Sequence, residues 1–128
     1  MPAQYLRLSL YKTTMQYEIN AEGKKIGRVA SEAASILIGK NSVSFSRNKA
    51  PTVEVVIINA SALSISEKKK GEKTYSRHTG YPGGIKHEKL EEMLAKKGIK
   101  EVMRKTVMGM LPKNKLRAVM IKNLKVVE

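Results

Sequence analysis

The sequence predicts an α/β protein with a small, mostly parallel central sheet between two helical layers, helix on sheet on helix. Three observations predict it. Val53 to Asn59 is a β-branched run without strict alternation, the pattern of a central strand buried on both faces. Ahead of it, Ile26, Val29, Ala30, Ala33, Ile36 and Leu37 recur at helical spacing. Behind it, amphipathic helical patterns dominate to the end of the chain, so strands and helices interleave along one unit.

The elements follow in order. Residues 1–15 read as a basic amino-terminal arm, with Arg7 and Lys12 and no acid, and residues 16–128 as a single domain. Gln16 to Ile19 is a short strand, and Gly23 supplies the turn after it. The first helix runs from Ile26 to a left-handed stop at Gly39. After the central strand, Leu63 and Ile65 read as a short strand, with the Lys68–Lys73 tract as a turn and Lys73 to Arg77 pairing near it. Glu88 to Lys97 is a helix with acids in its first turn and bases in its last, as the helix dipole prefers, and Gly98 lies just past its end. Ile99 to Met108 is another, stopped by Gly109 and Pro112. A last helix from about Lys113 points Leu116, Val119, Met120 and Leu124 inward, and Lys115, Arg117, Lys122 and Lys125 outward.

A chain of 128 residues makes about one domain and buries roughly two-thirds of its unfolded surface. With one Phe and no Trp, its interior must be aliphatic. The charge balance says more: 25 Lys and Arg against 11 acids leave +14. Such a domain repels itself unless it meets a polyanion, and nucleic acid and an anionic membrane surface are the two obvious partners. The longest apolar runs are far shorter than the roughly twenty residues a bilayer requires, which excludes membrane insertion. The absence of cysteine removes disulfides and thiolate chemistry and fits a reducing cytoplasm.

Catalysis finds little support. His78 and His87 are the only histidines, no Asp is present, and the glutamates cluster at a helix start where they serve the dipole. The glycines from Gly80 to Gly84 lack the GxxxxGK[ST] spacing of a phosphate-binding nucleotide loop. Neither an enzyme nor a metal, cofactor or small-molecule site is expected.

The basic motifs point to RNA. Gly80, Gly83 and Gly84 permit close approach of a sugar-phosphate chain to backbone amides. Tyr81 can stack on an unpaired base, with Arg77 and Lys86 flanking it; the structural alternative is a tight turn with Tyr81 tucked into the core. The tract from Lys68, Lys69 and Lys70 to Lys73 is either a solvated turn or a direct phosphate contact. Lys113, Asn114 and Lys115 after Pro112 combine a helix start with cations, the alternative being a capped helix with solvated lysines. Helical spacing places Lys115 and Lys122 on one face, with Lys113 and Arg117 beside it, as a basic strip.

Two segments in fixed order carry a family resemblance. They are Arg77-His78-Thr79-Gly80-Tyr81-Pro82-Gly83-Gly84 and Lys105-Thr106-Val107-Met108-Gly109-Met110-Leu111-Pro112-Lys113-Asn114-Lys115-Leu116. Together with Asn20 to Ser31 and Val55 to Ala60, they resemble the large-subunit ribosomal protein L-thirteen family in its bacterial form. The similarity extends from about Tyr17 to Val127. It implies a structural, non-enzymatic constituent of the large ribosomal subunit in the cytoplasm, binding large-subunit ribosomal RNA beside neighbouring ribosomal proteins and acting early in assembly. It adds His78, Lys105 and Asn114 to the expected RNA contacts. A free messenger-RNA regulator is the competing expectation. The chain departs from the family pattern at Asn20, where Asp is usual, at Ser46 to Thr52, where the family's histidine is missing, and at Arg117, which is displaced in register.

Overall fold

The computed structural model describes residues 15–128; the expected arm lies outside them apart from Met15, which begins the first strand. Strand β1 (Met15–Asn20) pairs in parallel with β2 (Val53–Ile58), from Met15 opposite Val53 to Asn20 opposite Ile58. Strand β5 (Leu124–Val126) joins β2 on its other side, also parallel. The order β1-β2-β5 makes β2 central, as its apolar run predicts.

Helix α1 (Ile26–Ile38) connects β1 to β2 and buries Ile26, Val29, Ala30, Ala33, Ala34 and Leu37. Gly39 ends it at φ 91°, and its N–H reaches the Ser35 and Ile36 carbonyls. A Cβ there would lie 3.2 Å from Pro51 Cγ, so the stop requires glycine for its backbone angle and crowds the returning chain as well. Helix α3 (Leu90–Met110) packs against α1. Met93, Val102, Met103 and Val107 of α3, with Met120 and Ile121 of α4 (Leu116–Lys122), join Ile19, Val55 and Ile57 in one core. That core is aliphatic and thioether throughout, as the composition requires.

The α/β class and the small parallel sheet are as expected. Ile19, Val55 and Ile57 lie on one face of this sheet and enter the core. The opposite face presents Gln16, Glu18, Glu54 and Lys125 around Val56, with a Lys125–Glu54 ion pair at 2.6 Å.

Several local expectations are corrected. Leu63 and Ile65 form no strand: a 3-10 turn (Ala60–Ala62) and a single bridge between Lys25 and Ser64 stand there, and both side chains pack on the core. The lysine tract is a short helix, α2 (Glu67–Glu72), because the Ser66 side chain accepts from the Lys69 N–H at 3.3 Å and caps it. Strand β3 (Thr74–His78) pairs antiparallel with β4 (Ile85–Lys89), so Glu88 belongs to a strand and α3 starts two residues later. Gly98 interrupts α3 with φ 82° and ψ 174°, as expected of a break, but the second half runs past Gly109 to Met110. Leu124 pairs in β5 instead of closing the last helix, and Val119 is 47% exposed.

At the carboxyl ends of β1 and β2, Asn20 Oδ1 accepts from the Glu22 N–H at 3.0 Å and from Asn59 Nδ2 at 3.2 Å. Both contacts use only the acceptor, so Asn serves where the resembling family carries Asp. Asn59 takes a left-handed φ of 56°, which Asn tolerates better than most residues.

Candidate nucleic-acid interface

The β3–β4 ribbon projects from the domain with most of its residues exposed. Its base is closed by the Leu90 N–H donating to the Lys73 carbonyl at 2.9 Å. Its tip is a tight turn from Tyr81 to Gly84, where the Gly84 N–H donates to the Tyr81 carbonyl at 3.0 Å. Pro82 and Gly83, at φ 71°, fill the two central positions as a type II turn prefers. Tyr81 is 76% exposed, so it is free to stack and is not tucked into the core.

Three loop amides are used internally, which corrects the expectation that they face RNA. Thr79 N–H donates to the Gly84 carbonyl at 3.0 Å, Gly80 N–H to His78 Nδ1 at 2.9 Å, and Gly84 N–H to Tyr81. His78 thereby holds the loop together. A Cβ on Gly84 would come within 2.0 Å of Thr79 Oγ1, so that glycine serves packing within the loop. The Tyr81 and Gly83 N–H groups donate to no acceptor among the described residues, so these two amides and the loop side chains are what a ligand can meet.

Strand alternation turns Tyr75, Arg77, Lys86 and Glu88 to one face of the ribbon, and that face looks across a cleft to Lys96 and Lys97 of α3. The Lys97 Nζ lies 3.8 Å from Glu88. A second cleft lies behind it, lined by Lys69 of α2, Lys73, Lys105 of α3 and Arg117 of α4, with Ile26, Leu90, Met108 and Met110 between them. Among the described residues, no acidic residue lines this inner cleft and none of its four cations makes an ion pair. Tyr75 and Lys105 border both clefts. The Lys105 Nζ sits 4.7 Å from the centre of the Tyr75 ring, and the Lys73 Nζ 5.5 Å from it, within reach of a cation–π attraction.

The predicted residues therefore divide. Arg77, Lys86, Lys69, Lys105 and Arg117 converge on the two clefts. Lys68 is exposed on α2, while Lys70 pairs with Glu67 at 3.0 Å. Lys113 and Lys115 are exposed in the approach to α4, and Asn114 Oδ1 accepts from the Arg117 N–H at 3.2 Å as a cap. The strip expected from Lys113 to Lys122 is not continuous, because Arg117 turns into the inner cleft while Lys122 lines a separate recess with Lys100 and Arg104. Sequence reasoning missed Tyr75, Lys96 and Lys97 as site residues. The period-two relation of Tyr75 to Arg77 could have found the first; the lysines became legible only when α3 folded beside the ribbon.

Chemically, the arrangement suits a polyanion: unpaired cations crowd one face and lower their mutual repulsion by binding one. The described residues hold no cluster of metal ligands and no helix long and apolar enough to cross a membrane.

Comparison with known proteins gives the family. Residues 14–128 match the family model of Ribosomal protein L13. The chain is 46% identical over 110 residues, 86% of its length and 73% of the relative's, to large ribosomal subunit protein uL13 of Chlorobium phaeobacteroides. It is 43% identical over 109 residues to uL13 of Psychrobacter cryohalolentis, covering 85% of this chain and 76% of that one, and 44% identical over 110 residues to uL13 of Clostridioides difficile, covering 86% and 76%. With similarity running through both motifs, the basic ribbon and the sheet, the chain belongs to the ribosomal protein L13 family.

Proposed function

We propose that this protein is a structural constituent of the large ribosomal subunit that binds large-subunit ribosomal RNA through the two basic clefts and the ribbon tip, and enters the particle early in its assembly. One observation carries the reading: Lys69 and Lys73, Lys105, and Arg117 come from three separate stretches of chain and converge without an acidic partner among the described residues. Phosphate contacts of this kind supply affinity and register. The exposed Tyr81 adds a stacking surface for an unpaired base. Membership of a ribosomal protein family makes the role structural rather than enzymatic, places the protein with the ribosome in the cytoplasm, and makes neighbouring ribosomal proteins its further partners. The same clefts accept any RNA backbone, which is the physical route to a free messenger-RNA regulator; the family favours the subunit.

Sedimentation of a lysate containing the tagged chain tests the proposal. Co-migration with large subunits and their precursors is expected, with pulse-labelled protein reaching the precursor fraction first. Protein remaining at the top of the gradient, bound to messenger RNA, would overturn it.

A further inference from the structure

The inner and outer clefts meet at Tyr75 and Lys105, which border both. The Tyr75 ring is half-buried and packs against the hydrophobic core, so it is a fixed platform rather than a mobile surface group. Two ammonium groups lie within 5.5 Å of its centre, from Lys73 two residues earlier and from Lys105 of α3. A free lysine side chain loses considerable rotamer freedom when it grips a phosphate. One already held against an aromatic ring loses less, and the ring contact leaves its outward N–H donors open.

We infer that Tyr75 is a positioning residue: it holds Lys73 and Lys105 as a preformed clamp for one phosphate of an RNA backbone, at the point where a single strand of that backbone passes from the inner cleft to the outer one. The inference rests on the RNA-binding reading above and adds to it a specific junction. The ligand class is a phosphodiester. The clamp sits between Arg117 and Lys69 of the inner cleft and Arg77 and Lys86 of the outer one, whose wall also carries Glu88 and Glu92.

The test measures binding of the full chain to a large-subunit RNA fragment across a salt series, for wild type, Lys105→Gln, Tyr75→Phe, Tyr75→Leu and Tyr75→Leu/Lys105→Gln. Tyr75→Phe keeps the ring and should bind as wild type does. Tyr75→Leu removes no charge, yet should weaken binding by about two- to fivefold, the size of an exposed cation–π contact. In the double variant the Tyr75→Leu effect should shrink to the part carried by Lys73, because a lysine that is absent cannot be positioned. Strictly additive losses, or equal losses from Phe and Leu, would overturn the clamp. Lys105→Gln binding as wild type does would overturn it too, and together with a wild type that fails to bind RNA would remove the reading beneath it. A harmful Lys105→Gln beside a neutral Tyr75→Leu would reject the clamp alone. Because leucine also changes packing, wild-type NMR supplies a second readout: the ε-methylene signals of Lys105 should be shifted upfield by the ring and stay so when RNA binds. Loss of that shift on binding would show the ammonium leaving the ring, and the clamp would be wrong.

Discussion

Arg77 and Lys86 face one another directly across the antiparallel register of β3 and β4. Like charges in that relation destabilise a strand pair, and an isolated two-stranded ribbon is marginal in water to begin with. Their juxtaposition therefore makes sense as a binding feature. Lys86→Glu should stabilise the ribbon by about 0.5 kcal/mol, read as slower amide exchange in both strands. The same change should weaken RNA binding by roughly tenfold or more, the scale of a lost hydrogen bond between charged groups. A variant that stabilises the ribbon and leaves RNA affinity intact would remove this face from the interface.

The division of the basic residues predicts unequal salt effects. Lys105→Gln with Arg117→Gln should flatten the dependence of log affinity on log salt by roughly 0.7 for each lost contact to single-stranded RNA. Lys113→Gln with Lys115→Gln should flatten it less, since those lysines lie outside the convergent clefts. The comparison is a pair of titrations on one RNA. Equal slopes would return the main anchor to the start of α4.

Gly98 gives a prediction opposite to helix propensity. Alanine usually improves a helix interior over glycine by about 1 kcal/mol, but Gly98 has φ 82° and ψ 174°, a region nearly confined to glycine. Gly98→Ala should lower stability by about 1–3 kcal/mol, measured by chemical denaturation. Forcing a helical angle there would turn Met93 and Val102, both in the core, away from their common interior.

At the ribbon tip the backbone is the critical element. Gly84→Val introduces a Cβ that collides with Thr79 Oγ1 and the Tyr81 carbonyl, so the turn should open. Incorporation into large subunits should fall, while the melting temperature shifts little because the tip lies outside the core cluster. Parallel incorporation and melting assays distinguish this from global damage, in which both would fall together.

Leu37 tests the core that carries these features. It is fully buried between α1 and its neighbours, and Leu37→Ala should lower the unfolding free energy by about 2–5 kcal/mol. Urea denaturation measures it. A loss below 1 kcal/mol would mean that the α1 packing is loose.

The chain alone determined much of this protein. The apolar run of β2, the helical spacing of α1 with Gly39, and the break at Gly98 are local patterns whose cause lies in backbone angles and side-chain periodicity, and each appears where its residues indicate. The two motifs led to the family, and the excess of lysine and arginine to a polyanion. The tertiary structure alone decided which cations act together. Lys69, Lys73, Lys105 and Arg117 are scattered along the chain, and only the packing of α2, α3 and α4 around the base of the ribbon brings them to one cleft. The short helix at Glu67–Glu72 was missed because its signal is a single serine cap in a charged tract. Strand β5 was missed because three residues are too few to show a period, and its pairing is supplied by the open edge of β2. Likewise Tyr75 reads as one aromatic among basic residues until Lys105 folds over its ring. Convergence depends on long-range packing, which local patterns do not encode.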